Sequence, residues 1–235
     1  MVFMLRYSAV LFDFFGTLTG SVHRGPQHAA IARSLGCDPL AVTGVLDRSF
    51  RARARGMFGS AEATLLWVSE QAGGSPCPAA VHAAFGARVA ALRADTELRP
   101  EAVGVLQALR RRGVRTAVVS DCTHELPIFL PELPIGPLLD AQVYSVEVGR
   151  CKPDPLIYLT ACWRVDVPPA NCLFVGDGGS RELTGAEEAG MTAVRLDAPD
   201  LHDHLVYEAD VAFAGHSVPS LHDVVDLVDR VPALV

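Results

Sequence analysis

Lysine is almost missing from this chain. Lys152 is the one lysine against nineteen arginines, and Asn171 is the one asparagine. Whatever produced the arginine bias, a lone lysine between Cys151 and Pro153, approached through Val148-Gly149-Arg150, is a pointed exception. Cys-x-x-Cys spacing is also absent. The six cysteines, at 37, 77, 122, 151, 162 and 172, are scattered along 235 residues of which half are hydrophobic. Such a chain has core enough without disulfide staples, so the cysteines read as reduced thiols and the expected location is cytoplasmic. No low-complexity run occurs, and no apolar stretch is long enough to span a membrane. The apolar opening is interrupted by Arg6 and Asp13 and leads to no small-residue cleavage site. A net charge of −7 argues against a general nucleic-acid binder. Neither nucleic acid nor membrane is therefore an expected partner. His202-x-His204 reads as a solvated pair rather than a metal site.

The charge is unevenly placed. Between positions 20 and 99, nine arginines face six carboxylates, whereas from 100 onward ten cations face twenty carboxylates. A basic segment inside an acidic protein suggests a lid that attracts a small anionic substrate. Taken singly, Arg51, Arg53 and Arg55 read as a solvated helix face.

Asp13 is the most informative carboxylate. It closes the apolar run Ser8-Ala9-Val10-Leu11-Phe12 and opens Asp13-Phe14-Phe15-Gly16-Thr17-Leu18. That pattern predicts a buried strand ending in a tight loop. In an open α/β sheet, ligands sit off the carboxyl ends of the strands. An isolated Asp-x-x-Gly would be a turn; here three later strand ends also carry polar groups suited to phosphate and metal.

Further along, a mainly helical stretch over 24–94, broken by glycines and prolines, predicts about four helices. A helix from Arg99-Pro100 through Arg112 leads to a strand, Arg115 to Val119, ending at Ser120-Asp121. A proline-punctuated helical segment runs to about 138. Further strands are expected at Ala141–Ser145, Cys172–Val175, Thr192–Leu196 and Val211–Phe213, with helices over Pro153–Val165, near 180–190 and near 217–229. Strand–helix alternation predicts a doubly wound parallel sheet of the Rossmann-like α/β class. The helical block looks inserted after the first strand, giving a core of 1–19 plus 96–235 and a helical domain of 20–95.

These strand ends resemble, in order and type, the haloacid dehalogenase-like hydrolase superfamily, in the branch with a helical cap after the first loop. Asp13-x-x-Gly16-Thr17-Leu18 resembles its nucleophile loop and Ser120 its second loop. Lys152, in Lys-Pro-Asp-Pro with Tyr158 beyond, resembles its third. Gly176-Asp177, followed by Glu182 and Gly185-Ala186, resembles its acidic fourth loop. The resemblance implies a Mg²⁺-dependent phosphatase forming a phosphoaspartyl intermediate. Asp13 would be the nucleophile and Thr17 would orient its loop. Ser120 would donate to the transferring group, and Lys152 would pair with Asp13 and the phosphate. Asp13, the Phe15 carbonyl, Asp177 and Glu182 would hold the metal. Phe15, Gly16, Asp121, His23 and Arg24 are the expected substrate contacts, and Trp67 a weaker one that reads better as core of the inserted helices.

The departures are informative. Family phosphatases carry an acid–base Asp two residues after the nucleophile; here Phe15 stands there, and a phenyl ring transfers no proton. That loss is worth typically about 10² to 10⁴ in rate, so alkyl phosphates should be poor substrates. Glu182 is one methylene longer than the usual Asp. An aromatic at Phe15 resembles the branch that removes halide from 2-haloacids, which makes dehalogenation the alternative. A catalytically inactive phosphate-binding member comes third. The phosphonate-cleaving branch needs a cap lysine, and residues 20–95 contain none.

Overall fold

The computed structural model describes residues 3–4, 6–21, 23–201, 208–228 and 231–232. Eight strands are present among them: β1 (Phe3–Met4), β2 (Ala9–Phe12), β3 (Arg115–Ser120), β4 (Ala141–Tyr144), β5 (Cys172–Gly176), β6 (Thr192–Leu196), β7 (His216–Val218) and β8 (Val231–Pro232). β1 and β8 form a small antiparallel ribbon, and the other six form one parallel sheet in the order β4-β3-β2-β5-β6-β7.

β2 is buried along its whole length, as are all but the first residue of β3 and all of β5. A parallel sheet covered on both faces selects continuous apolar runs rather than alternation. Successive side chains still point to opposite faces. Val10 and Phe12 enter one core with Leu106, Val118 and Val194, while Ala9 and Leu11 enter the other with Val119, Tyr158 and Phe174. Helices α6 (Ala102–Arg111) and α11 (Leu221–Leu227) cover the first face, and α9 (Pro155–Val165) and α10 (Glu182–Glu188) the second. The short helices α7 (Leu126–Phe129) and α8 (Ser145–Val148) follow β3 and β4.

Between β2 and α6 the chain leaves the sheet as five helices: α1 (Gln27–Ser34), α2 (Pro39–Arg48), α3 (Phe50–Ala54), α4 (Ala61–Gln71) and α5 (Pro78–Asp95). They enclose a separate apolar cluster that includes Ile31, Val45, Leu65, Val68 and Val81. The two connections run side by side: Thr19 and Leu98 form an antiparallel bridge, and Gly20 N–H donates to the Glu97 carbonyl at 3.0 Å.

Several sequence expectations need correction. Five helices replace four, because α3 is a separate turn after the break at Ser49. Residues 211–212 form a turn with Val211 93% exposed, Phe213 lies in no strand, and the edge strand is β7 instead. Ser145 opens α8 rather than closing β4. The helix expected from Pro153 starts at Pro155, where the Asp154 side chain accepts from Leu156 N–H at 3.0 Å and caps it. His202 and His204 lie outside the described residues. No single described helix is long and apolar enough to cross a membrane.

The chain runs from β2 outward to β3 and β4, then returns to β5 on the other side of β2. The carboxyl ends of β3, β2 and β5 therefore meet at a topological switch point, where α/β sheets bind ligands.

Candidate active site

Asp13 follows β2, and its N–H donates to the Val175 carbonyl of β5 at 2.9 Å, which fixes the loop to the sheet. Lys152 Nζ lies 2.5 Å from Asp13 Oδ1 and 2.5 Å from Glu182 Oε2. All three side chains are buried. Burial alone would push the Lys152 ammonium down, but Asp13 and Glu182, with Asp121 beyond, hold it well above the ordinary lysine value. Burial raises Asp13 to about 6 against the pull of Lys152, with Asp177 adding to the rise. Glu182 is raised well above its ordinary value, by burial first and then, despite Lys152, by Asp13 and Asp177.

Carboxylate oxygens of Asp13, Asp177 and Glu182 all lie within 4.8 Å of one another. With all three ionised, the carboxylates outnumber the one ammonium that pairs with Asp13 and Glu182. Burial is the main cause of the raised Asp13 and Glu182, and the neighbouring carboxylates add to it. A hard divalent cation suits such an oxygen donor set, so these residues fit Mg²⁺. The backbone shapes the cluster. Gly176 has no side chain because a Cβ there would stand 2.1 Å from Glu182 Oε1. Gly178 N–H donates to that oxygen at 3.0 Å, and Gly179 N–H donates to Asp177 Oδ1 at 2.9 Å.

The loop after Asp13 turns through Gly16, whose φ of 83° lies in the left-handed region open to glycine. Gly16 N–H donates to Thr19 Oγ1 at 3.0 Å. Buried Arg99 grips the loop from below, donating to the Thr17 carbonyl at 2.9 Å and the Gly16 carbonyl at 3.0 Å while pairing with Asp200 at 2.8 Å. Two hydroxyls here, Thr17 Oγ1 and Ser120 Oγ, are buried without a hydrogen-bond partner among the described residues. An orphaned buried hydroxyl costs free energy unless a ligand or solvent satisfies it.

A cavity of about 710 Å³ lies between the sheet ends and the helical block. Asp13, Phe15, Asp121, Lys152, Asp177 and Glu182 line it from the sheet side, and His23, Arg24, His28, Arg53, Arg88 and Asp95 from the other. Asp121 accepts the Lys152 backbone N–H at 2.9 Å and is raised by burial. His23 lies 3.2 Å from Ser21 Oγ, and Arg24 pairs with Asp47 at 2.6 Å. The structure thus brings the expected residues to one place, with three qualifications of detail. Gly16, Thr17 and Ser120 sit behind the cavity surface rather than on it. Trp67 stacks on Phe58, ring centroids 3.9 Å apart, among the helical block's own core. Cys122 and Cys151 are buried thiols, the first raised well above its ordinary value and the second pushed up to about 11, both chiefly by burial. Such thiols are inert.

Sequence reasoning missed His28, Asp95, Arg88 and Glu125. His28 Nε2 and Asp95 Oδ2 lie 2.8 Å apart, and Arg88 pairs with Glu125 at 2.7 Å. It also misplaced Arg53, which is not on a solvated face but 5% exposed. One turn of helix brings Arg53 back over Ser49, whose hydroxyl accepts its Nε at 3.0 Å. No local pattern distinguishes Arg53 from Arg51 or Arg55; the packing of α3 does.

Comparison with known proteins places this geometry. Residues 7–190 match the family model of haloacid dehalogenase-like hydrolases, and the chain belongs to that family. A relative, ribulose-1,5-bisphosphate 5-phosphatase of Halopiger xanaduensis, is 28% identical over 160 residues, 66% of each chain. Another, (S)-2-haloacid dehalogenase 1 of a Pseudomonas species, is 38% identical over 100 residues, 41% of this chain and 43% of its own. The chain spans less than two thirds of the length of either relative. The solved structure of 2-haloacid dehalogenase from Pseudomonas syringae superposes with a TM-score of 0.67 at 20% identity, covering 94% of this chain and 97% of that one. That likeness concerns the fold.

Proposed function

We propose that this hydrolase is a Mg²⁺-dependent phosphatase that uses Asp13 as its nucleophile. Residues 1–19 and 96–235 form its catalytic core, and 20–95 form a cap over it. The observation that carries the reading is the cluster of Asp13, Asp177 and Glu182, three carboxylates within 4.8 Å served by one ammonium. A 2-haloacid would bring a further negative charge to this cluster. A phosphate dianion would be repelled too, unless a divalent cation sits between.

Asp13, Asp177, Glu182 and the Phe15 carbonyl are the groups that would hold Mg²⁺, which when bound supplies charge neutralisation to the phosphoryl oxygens. An Asp13 oxygen attacks phosphorus and the bond to the leaving oxygen breaks, that oxygen keeping the electron pair. Water then hydrolyses the aspartyl phosphate, releasing inorganic phosphate and restoring the carboxylate. Lys152 acts as a point charge beside both nucleophile and phosphate. Ser120 Oγ and Thr17 Oγ1, without a hydrogen-bond partner among the described residues, would donate to the transferring group and its loop. Phe15 donates no proton, so the leaving group departs as an anion, which favours aryl and acyl phosphates.

Phe15 also supports a second reading, halide displacement from a 2-haloacid, which needs no leaving-group acid. The test is p-nitrophenyl phosphate hydrolysis with and without Mg²⁺, beside the Asp13→Asn variant. Metal-dependent turnover that vanishes in Asp13→Asn supports the phosphatase. Halide release from 2-chloropropionate in its place replaces it with the second reading, and inactivity on both leaves a phosphate-binding protein.

A further inference from the structure

We propose that Arg53 anchors a carboxylate on the substrate's leaving group, so that the substrates are aryl or acyl phosphates carrying a second, distal acid. This rests on the phosphatase reading and names the substrate class of the same cavity.

The cavity wall contributed by the helical block is rich in charge, but its carboxylates are already committed. Glu125, which lies in the segment after β3 and does not line the cavity, takes Arg88 at 2.7 Å and the Thr123 hydroxyl at 2.6 Å. Asp47 takes Arg24 at 2.6 Å. Asp95 takes His28 at 2.8 Å and the Gly25 N–H at 2.9 Å. Arg53 alone on that wall is held by neutral acceptors: its Nε donates to Ser49 Oγ at 3.0 Å and its Nη2 to the Leu46 carbonyl at 2.8 Å. At 5% exposure it is a buried cation lining the cavity without a paired carboxylate among the described residues. Burial first, then repulsion from Arg88, brings it down to about 10 against the pull of Glu125 and Asp47, so it stays charged at neutral pH.

A buried charge is costly until an opposite charge joins it. The two named bonds leave Nη1 and one Nη2 hydrogen to donate, a fork that matches a carboxylate. A single guanidinium balances a carboxylate monoanion better than a second phosphate dianion. Phe15, Phe50, Leu92 and Leu126 supply apolar wall around the polar groups, which suits an unsaturated or aromatic body between the two acids. A volume of about 710 Å³ is ample for such a molecule and much larger than a phosphate needs.

The test compares phenyl phosphate with 4-carboxyphenyl phosphate, which share the reacting centre and differ in the distal acid. Wild-type kcat/KM should favour the carboxylated ester by roughly 10- to 100-fold, the range of a charge-assisted hydrogen bond. Arg53→Gln should bring the ratio towards one, with Arg53→Lys in between. A wild-type ratio of one or less overturns the proposal even where Arg53→Gln fails to fold, as does an equal loss on both esters. If neither ester turns over, the phosphatase reading falls, and calorimetry with phenylphosphonate and 4-carboxyphenylphosphonate judges the anchor. Tighter binding of the carboxylated compound by wild type but not by Arg53→Gln supports it; equal binding overturns it.

Discussion

Lys152 Nζ and Asp13 Oδ1 lie 2.5 Å apart in the protein interior, with Glu182 Oε2 at the same distance on the ammonium's other side. This contact joins residues 139 positions apart and makes the only lysine the counter-charge of the cluster. Removing one partner of a buried ion pair costs about 3–5 kcal/mol because the other charge is left uncompensated. Lys152→Met should therefore lower the melting temperature strongly, and Mg²⁺ should recover more stability in the variant than in wild type. A melting curve in Lys152→Met that ignores Mg²⁺ would contradict the cation site.

Asp177 tests the same site from the sheet side. Its Oδ1 accepts the Gly179 N–H at 2.9 Å while its carboxylate faces Asp13 and Glu182. Asp177→Ala should leave whatever rate remains independent of Mg²⁺ in a metal titration. A metal-dependent rate that survives the substitution would show the assignment of Asp177 to be wrong.

On the proposed mechanism, Phe15 sets the leaving-group preference. With Phe15 standing where an acid–base Asp would protonate the leaving oxygen, aryl and acyl phosphates should be hydrolysed faster than alkyl phosphates. Phe15→Asp should raise the alkyl rates towards the roughly 10²- to 10⁴-fold contribution of general acid catalysis. Equal wild-type rates on p-nitrophenyl and ethyl phosphate would sink this explanation.

Glu125 ties the segment after β3 to helix α5 through Arg88. Burial pushes against it, but Arg88 and the Thr123 hydroxyl win and hold its carboxyl at about 2, below its ordinary 4.5. A depressed carboxylate stabilises the fold above its unfolded value and loses that contribution as pH falls through its folded value. The contribution, roughly 3 kcal/mol at neutral pH, should fade between pH 4.5 and 2. The stability gap between wild type and Glu125→Gln should be large at pH 7 and close across that window. A gap that stays constant down to pH 2 would refute the pairing.

The sheet ends were legible because their signal is local. Val10-Leu11-Phe12 running into Asp13, and Phe174-Val175-Gly176 into Asp177, are short patterns that need no knowledge of packing. Lys152 was legible through its rarity. The helical wall of the cavity was not legible, because the facing of Arg53, Arg88 and His28 depends on how α1, α3 and α5 settle on one another and on the sheet. β7 was missed for a different reason. His216 and Ser217 are exposed and the strand has three residues, so neither alternation nor an apolar run marks it, while Val211-Ala212-Phe213 mimics a strand in composition alone.

The most direct test of the account is the chemical identity of the adduct on Asp13. The protein would be acid-quenched during turnover with acetyl phosphate and Mg²⁺, and separately with 2-chloropropionate, and the peptide containing Asp13 analysed by mass spectrometry. A phosphoryl group on Asp13 in the first sample and an unmodified peptide in the second are the expected results. A carboxyalkyl ester on Asp13, or a phosphoryl group on any other residue, would contradict it.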